Sequence, residues 1–191
     1  MKKNVFTLFA LFLMSGAAIA QTEMGSWLVG GNINLNTAKN NTNIGVSPMV
    51  GYFFAENFAA GANISLDYSK YEVSTGEGKN TTLGIGPFAR YYFGSSNTRP
   101  LIHGSWNFIS EKDKLTIFSP ASESSSTRNG SQFFLGGGLA GFINRNVALE
   151  ALAGYNHFKY RHAGEGSGGF LLRVGFQVYL SGSQMSRATG Q

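Results

Sequence analysis

His103 and Ser105 are two positions apart, so in an extended strand their side chains share one face, and an imidazole beside a hydroxyl is half of a nucleophile–base arrangement. Arg90, Glu150 and Arg173, with Asp67 on a further segment, supply the opposite charges from which a buried ion pair is built. His157 and His162 bracket a polar stretch without the spacing of metal ligands, and a chain with no cysteine offers neither a thiolate nor a disulfide. No cofactor and no metal are implied. Whether any of these side chains meet is decided by the elements that carry them.

The clearest element is the stretch 168–180, GGFLLRVGFQVYL, in which Phe170, Leu172, Val174, Phe176, Val178 and Leu180 take every second position. Leu171, Arg173, Gly175, Gln177 and Tyr179 alternate with them, a mixed face with a full charge that hydrocarbon would not accept unpaired. About ten residues of such alternation is the length of a tilted strand crossing a bilayer. Seven further segments repeat the pattern: Gly25–Asn36, Asn43–Phe54, Phe58–Tyr68, Thr81–Phe93, Leu101–Phe108, Ser131–Ile143 and Val147–Phe158. Their apolar residues fix the phase, so their charges test it independently. Asp67, Arg90, Glu150 and Arg173 all fall on the inward face, where they escape the roughly 2–4 kcal/mol that a basic side chain costs on the lipid face at mid-bilayer.

The connections alternate as well. Ala55–Asn57, Gly94–Pro100 and Asn144–Asn146 are short, whereas Ser69–Asn80, Ile109–Gly130 and Lys159–Ser167 are longer and polar; Thr37–Thr42 is the weak case. Aromatic residues gather near the short turns (Tyr52, Phe53, Phe54, Tyr91, Tyr92, Phe93, Phe142, Tyr179) and near the far ends (Tyr68, Tyr71, Trp106, Phe108, Tyr155, Tyr160), as two interfacial girdles would. Pro48 and Pro87 lie inside segments, and a bulge is expected at each. Only 13% of residues are charged, too few for an ordinary soluble surface, while 26 glycines suit a narrow interior. Met1–Ala20 has the basic start, the apolar core Val5–Met14 and the Ala18-Ile19-Ala20 ending of a secretory signal cleaved after Ala20. The net charge of +5 includes Lys2 and Lys3 of that segment and is too small and scattered to imply nucleic acid.

The hairpin pattern shared by Gly51–Ala59 and Gly141–Glu150, together with the closing Phe176-Gln-Val-Tyr-Leu180, resembles the small outer-membrane β-barrel family of Gram-negative bacteria, the OmpA and OmpX type. The chain departs from that pattern in continuing beyond the closing strand through Ser181–Gln191. The expected fold is all-β, an eight-stranded antiparallel up-and-down transmembrane barrel over residues 21–180, between the signal at 1–20 and a short polar tail at 181–191. The resemblance implies outer-membrane lipid and lipopolysaccharide as surroundings, barrel-assembly machinery and periplasmic chaperones as partners in biogenesis, and an external ligand that the residues do not name. It also implies a non-catalytic role in envelope integrity, adhesion or ligand contact. Two other readings stand beside it, a narrow small-solute channel and a lipid-modifying enzyme built on His103 and Ser105.

Within that barrel Glu150 and Arg173, inward on consecutive strands, are expected to pair, with Arg90 joining from across the lumen as a plug or a gate. The expected external contact lies in Glu111–Gly130, where Leu115, Thr116, Ile117 and Phe118 would prolong the fifth strand and offer an edge for strand addition.

Overall fold

The computed structural model describes residues 22–38, 41–73, 76–118, 121–161, 166–182 and 184–185; the expected signal and most of the expected tail lie outside them. Eight strands follow one another: β1 (Trp27–Ala38), β2 (Asn41–Ala55), β3 (Phe58–Val73), β4 (Gly76–Tyr92), β5 (Thr98–Phe118), β6 (Ala121–Phe142), β7 (Val147–Tyr160) and β8 (Ser167–Leu180). Each pairs antiparallel with the next, and β1 pairs with β8, so the sheet closes on itself. Closure is what removes the free edges that apolar strands would otherwise present.

The alternation of the sequence becomes the two faces of the wall. Ile33, Val46, Ile64, Ile85, Leu135, Leu149 and Val174 are exposed on the outside, while Asn32, Asn63, Ser65, Asn107 and Gln132 are buried inside. Trp27, Tyr52 and Phe54 make edge contacts in a lower girdle, and Tyr91 with Phe93 continues it. Trp106 with Phe108, and Tyr155 with Phe170, form an upper one. Other aromatics expected in the girdles point inward. Phe53, Tyr92, Phe142 and Tyr179 are buried in the lumen, and Tyr71 and Tyr160 bond to Asp113 and Glu111 on the inner face.

The lower half of the barrel is a packed core. Leu28, Phe53, Phe88, Leu101, Phe142 and Leu152 are buried there, and each such side chain contributes about 1.5–3 kcal/mol by leaving water. Inward glycines make room for larger neighbours. A Cβ on Gly136 or Gly154 would lie 2.7 Å from Cζ of Phe134, whose ring fills the space over both. The turn from β2 to β3 holds Asn57 at a φ of 61°, where asparagine is among the least penalised residues after glycine.

Three expectations change. The polar stretches expected as loops are mostly strand: β3 and β4 stay paired to Val73↔Gly76, and β5 and β6 to Phe118↔Ala121. Leu115 and Ile117 therefore offer no edge, because they pair with Gly78 and Gly76 on one side and with Ser124 and Ser122 on the other. Nor do the prolines cause bulges. The β2–β3 ladder passes from Val46↔Leu66 to Met49↔Asn63, and the β4–β5 ladder from Ile85↔Phe108 to Phe88↔Ser105, without a change of register. A missing N–H interrupts bonding on one side of a strand but requires no extra residue.

Candidate functional site

Arg90 on β4 and Glu150 on β7 meet in the middle of the lower core, both fully buried at the side chain. Nη1 of Arg90 donates to Oε2 of Glu150 at 2.8 Å and to Oε1 at 3.1 Å. The hydroxyls of Tyr92 and Tyr179 each donate to Oε1 at 2.9 Å. Nη1 of Arg90 reaches the Tyr92 oxygen and Nη2 the Met49 sulfur, and Nε donates to Nδ1 of His103 at 3.3 Å. One carboxylate thus receives an arginine and two phenols from two other strands, β4 and β8, which is the multiple bonding a desolvated ion pair needs.

Arg173 does not join this pair. In the β7–β8 ladder Glu150 stands opposite Gly175, while Arg173 stands opposite Leu152, two positions nearer the outer end. Its guanidinium lies 3.9 Å from the centroid of the Phe134 ring, and among the described residues its Nε has no hydrogen-bond partner. Asp67, at a higher level of the lumen, accepts from Nδ2 of Asn34 at 3.3 Å. The expected three-member network is one closed pair with a separate cation above it.

The geometry does not assemble the nucleophile and base. Nδ1 of His103 is occupied by Arg90, the ring lies between Phe88 and Phe134 at 5.5 and 5.9 Å, and Oγ of Ser105 is without a hydrogen-bond partner among the described residues. Both residues are buried inside the wall. His157 instead stacks with Tyr155 near the upper girdle.

At the lower mouth Arg99, preceding the β5 core, donates to Thr22 and to Oδ1 of Asn57, and its guanidinium lies 5.0 Å from the Phe142 centroid. Tyr92, Tyr179 and Arg99 are site residues that the sequence reading left out. Parity could have found two of them, since Tyr92 shares its face with Arg90 and Tyr179 with Arg173. Arg99 sits in what reads as a turn and carries no such signal.

Above the plug the lumen widens into a cavity of about 490 Å3, lined by residues including Asn34, Asp67, Asn80, Gln132 and Asn156. Beyond it β3, β4, β5 and β6 continue as a sheet, because the β6–β7 ladder stops at Gly130↔Tyr160 while β5–β6 pairing goes on to Phe118↔Ala121. Leu115 and Ile117 lie half-buried on its inner face and Phe118 is exposed at its tip. Arg128 of β6 donates to Glu111 of β5, which also accepts from Tyr160, so the base of the sheet is tied to β7.

Outside the wall Glu77 bridges Lys70 at 2.8 Å and Lys79 at 2.7 Å. The two ammonium groups hold its carboxyl down at about 2. The expected result of a carboxyl NMR titration of the folded protein is a Glu77 midpoint near about 2, rising when Lys79→Ala removes one partner. Any stabilisation it gives is present above the ordinary carboxylate range and is lost as pH falls through that midpoint.

Three solved barrels are similar to this chain. The N-terminal β-barrel domain of Pseudomonas aeruginosa OprF is 17% identical, covering 82% of this chain and 98% of its own, with a TM-score of 0.44. Neisserial surface protein A is 18% identical, with coverages of 81% and 96% and a TM-score of 0.50. Ail, the attachment invasion locus protein of Yersinia pestis, is 15% identical, with coverages of 81% and 99% and a TM-score of 0.53. No curated protein matches the chain. The family model described as the outer membrane protein beta-barrel domain matches residues 6–180, which include every strand of the closed wall. The chain belongs to that family, and its place is the outer membrane.

Proposed function

We propose that this barrel is an anchor whose protruding sheet makes surface contacts by accepting a strand from an external partner, while its lumen stays shut. The observation that carries the reading is the outer side of β6. The Asn129 carbonyl accepts from the Arg161 N–H at 3.0 Å, so Asn129 turns its backbone groups toward the β7 side. By the two-residue repeat Thr127, Ser125 and Glu123 turn theirs the same way, where no strand pairs with them among the described residues. An unpaired row of donors and acceptors is a template for β-augmentation. The attachment role in the printed name of Ail agrees with this reading, although that likeness is one of fold.

The contact test uses the full chain displayed on a bacterium that is otherwise non-adherent. Adherence to immobilised extracellular-matrix protein is expected to fall to background in Ser125→Pro/Thr127→Pro, with surface display unchanged. Equal adherence of parent and variant overturns strand addition.

Arg90, Glu150, Tyr92 and Tyr179 serve in this reading as a fixed plug, with no gating step and no catalytic step assigned. Planar bilayers carrying the parent are therefore expected to show no discrete conductance, and steady channel openings would instead favour a narrow pore. Export by a signal at 1–20 and delivery by barrel-assembly machinery belong to the same proposal.

A further inference from the structure

The barrel wall is not closed to its full height. Pairing of β1 with β8 runs from Trp27↔Leu180 to Ile33↔Val174, and no higher pair forms among the described residues, although both strands continue. Above that point β1 is bonded only to β2 and β8 only to β7. The opening lies at the upper girdle, where Phe170 meets Tyr155. Exposure along the outer face of β8 rises toward it, from 51% at Phe176 to 72% at Leu172 and 86% at Phe170. The vestibule borders this opening, since its lining includes Asn34 of β1 and Ser167–Leu171 of β8.

An unzipped seam leaves backbone N–H and C=O groups of β1 and β8 without ladder partners at the upper edge of the hydrocarbon layer, where each must find one. The vestibule interior is equally unsatisfied. Gln132, 3% exposed, donates from Nε2 to Asn156 at 3.1 Å, but its Oε1 has no partner among the described residues. Amide side chains offer donors and acceptors together, as hydroxyl groups require. Asp67 adds an acceptor and Phe158 an aromatic surface, while the lining contains no lysine or arginine that would favour a phosphate. A volume of about 490 Å3 falls within the usual range of small-ligand sites.

We infer that the vestibule binds the sugar head of an uncharged glycolipid, which enters sideways from the outer leaflet through the β1–β8 opening and leaves its hydrocarbon against Phe170 and Leu172. The sugar hydroxyls meet Gln132, Asn156 and the unpaired backbone of the seam. The apolar tail remains in the membrane, which explains why the polar cavity and the exposed apolar ledge adjoin.

The test uses the full chain folded in phosphatidylcholine nanodiscs, with octyl glucoside, methyl glucoside and octyl phosphocholine as probes and amide NMR shifts as readout. Octyl glucoside is expected to shift Gln132, Asn156 and Gly168–Leu171 saturably, at least about tenfold more tightly than either other probe. In Leu35→Cys/Leu172→Cys, at two positions that come into backbone register when the ladder is continued past Ile33↔Val174, oxidation is expected to abolish the shifts and reduction to restore them. Gln132→Leu, which needs no disulfide, is expected to weaken binding about tenfold. Equal binding of methyl glucoside overturns the lateral route, equal binding of octyl phosphocholine overturns the sugar head, and the absence of saturable shifts overturns the site.

Discussion

Glu150→Ala is expected to be the most damaging single substitution in the lumen, lowering stability in lipid by about 3–5 kcal/mol. Arg90 is 1% exposed, and in the variant its two bonds to the carboxylate have no replacement from water. Tyr92 and Tyr179 lose the oxygen that accepts from both hydroxyls, although they retain their mutual contact at 2.9 Å. The cost comes mainly from the isolated cation and less from the pair as such. The double variant Arg90→Met/Glu150→Leu, which removes both charges and keeps bulk, is therefore expected to recover most of the loss. Arg173→Met is expected to cost less than Glu150→Ala, because that guanidinium forms no ion pair among the described residues and gives up mainly its stacking on Phe134. Urea unfolding in vesicles, followed by the heat-modifiable shift on gels, measures the three variants against the parent. If the alanine variant unfolds within about 1 kcal/mol of the parent, Glu150 is not what holds the charge of Arg90 inside, since even an ordinary net hydrogen bond is worth that much.

Strand number, phase and turn side were readable because the bilayer imposes a rule on every outward position between the girdles. Val29, Ile33, Ile44 and Val46 obey it on β1 and β2 in the same way that Phe170, Leu172 and Val174 obey it on β8. Above the upper girdle that rule lapses. Lys112, Asp113 and Lys114 continue β5 with polar groups on both faces, so no period of two marks a strand that its neighbours nevertheless pair on both sides. The partner of Glu150 is hidden from the sequence for a different reason. Neighbouring strands suggest Arg173, but lateral register places that residue beside Leu152, and the tilt of a closed sheet brings Arg90 across the lumen instead. Tyr92 and Tyr179 carried the correct parity for the plug, yet proximity to the turns suggested the girdle. The opening between β1 and β8 left no trace in composition, because it consists of pairs that do not form.

Ile85→Arg is expected to destabilise the folded barrel by about 2–4 kcal/mol in a bilayer, although the residue it replaces is 58% exposed and touches no buried group of the plug. Ile85 lies between Tyr91 of the lower girdle and Thr81, the ladder partner of Tyr68, and stands in register with Ile64 and Phe108, both outward. Its neighbours on the wall are therefore apolar, and an arginine there has no carboxylate among them to offset its desolvation. Phe93→Arg, at the lower interface, gives the contrast. It is 50% exposed, about as accessible as Ile85, yet is expected to cost only about 0–1 kcal/mol because the guanidinium reaches the headgroups. A soluble barrel would treat the two substitutions alike and would tolerate both, since an arginine on a wet surface replaces an unfavourable apolar contact with water. Depth dependence is what distinguishes lipid from water as the surrounding solvent. Equal unfolding free energies for the two variants in vesicles would be incompatible with a hydrocarbon layer around the waist formed by Ile64, Ile85 and Leu135.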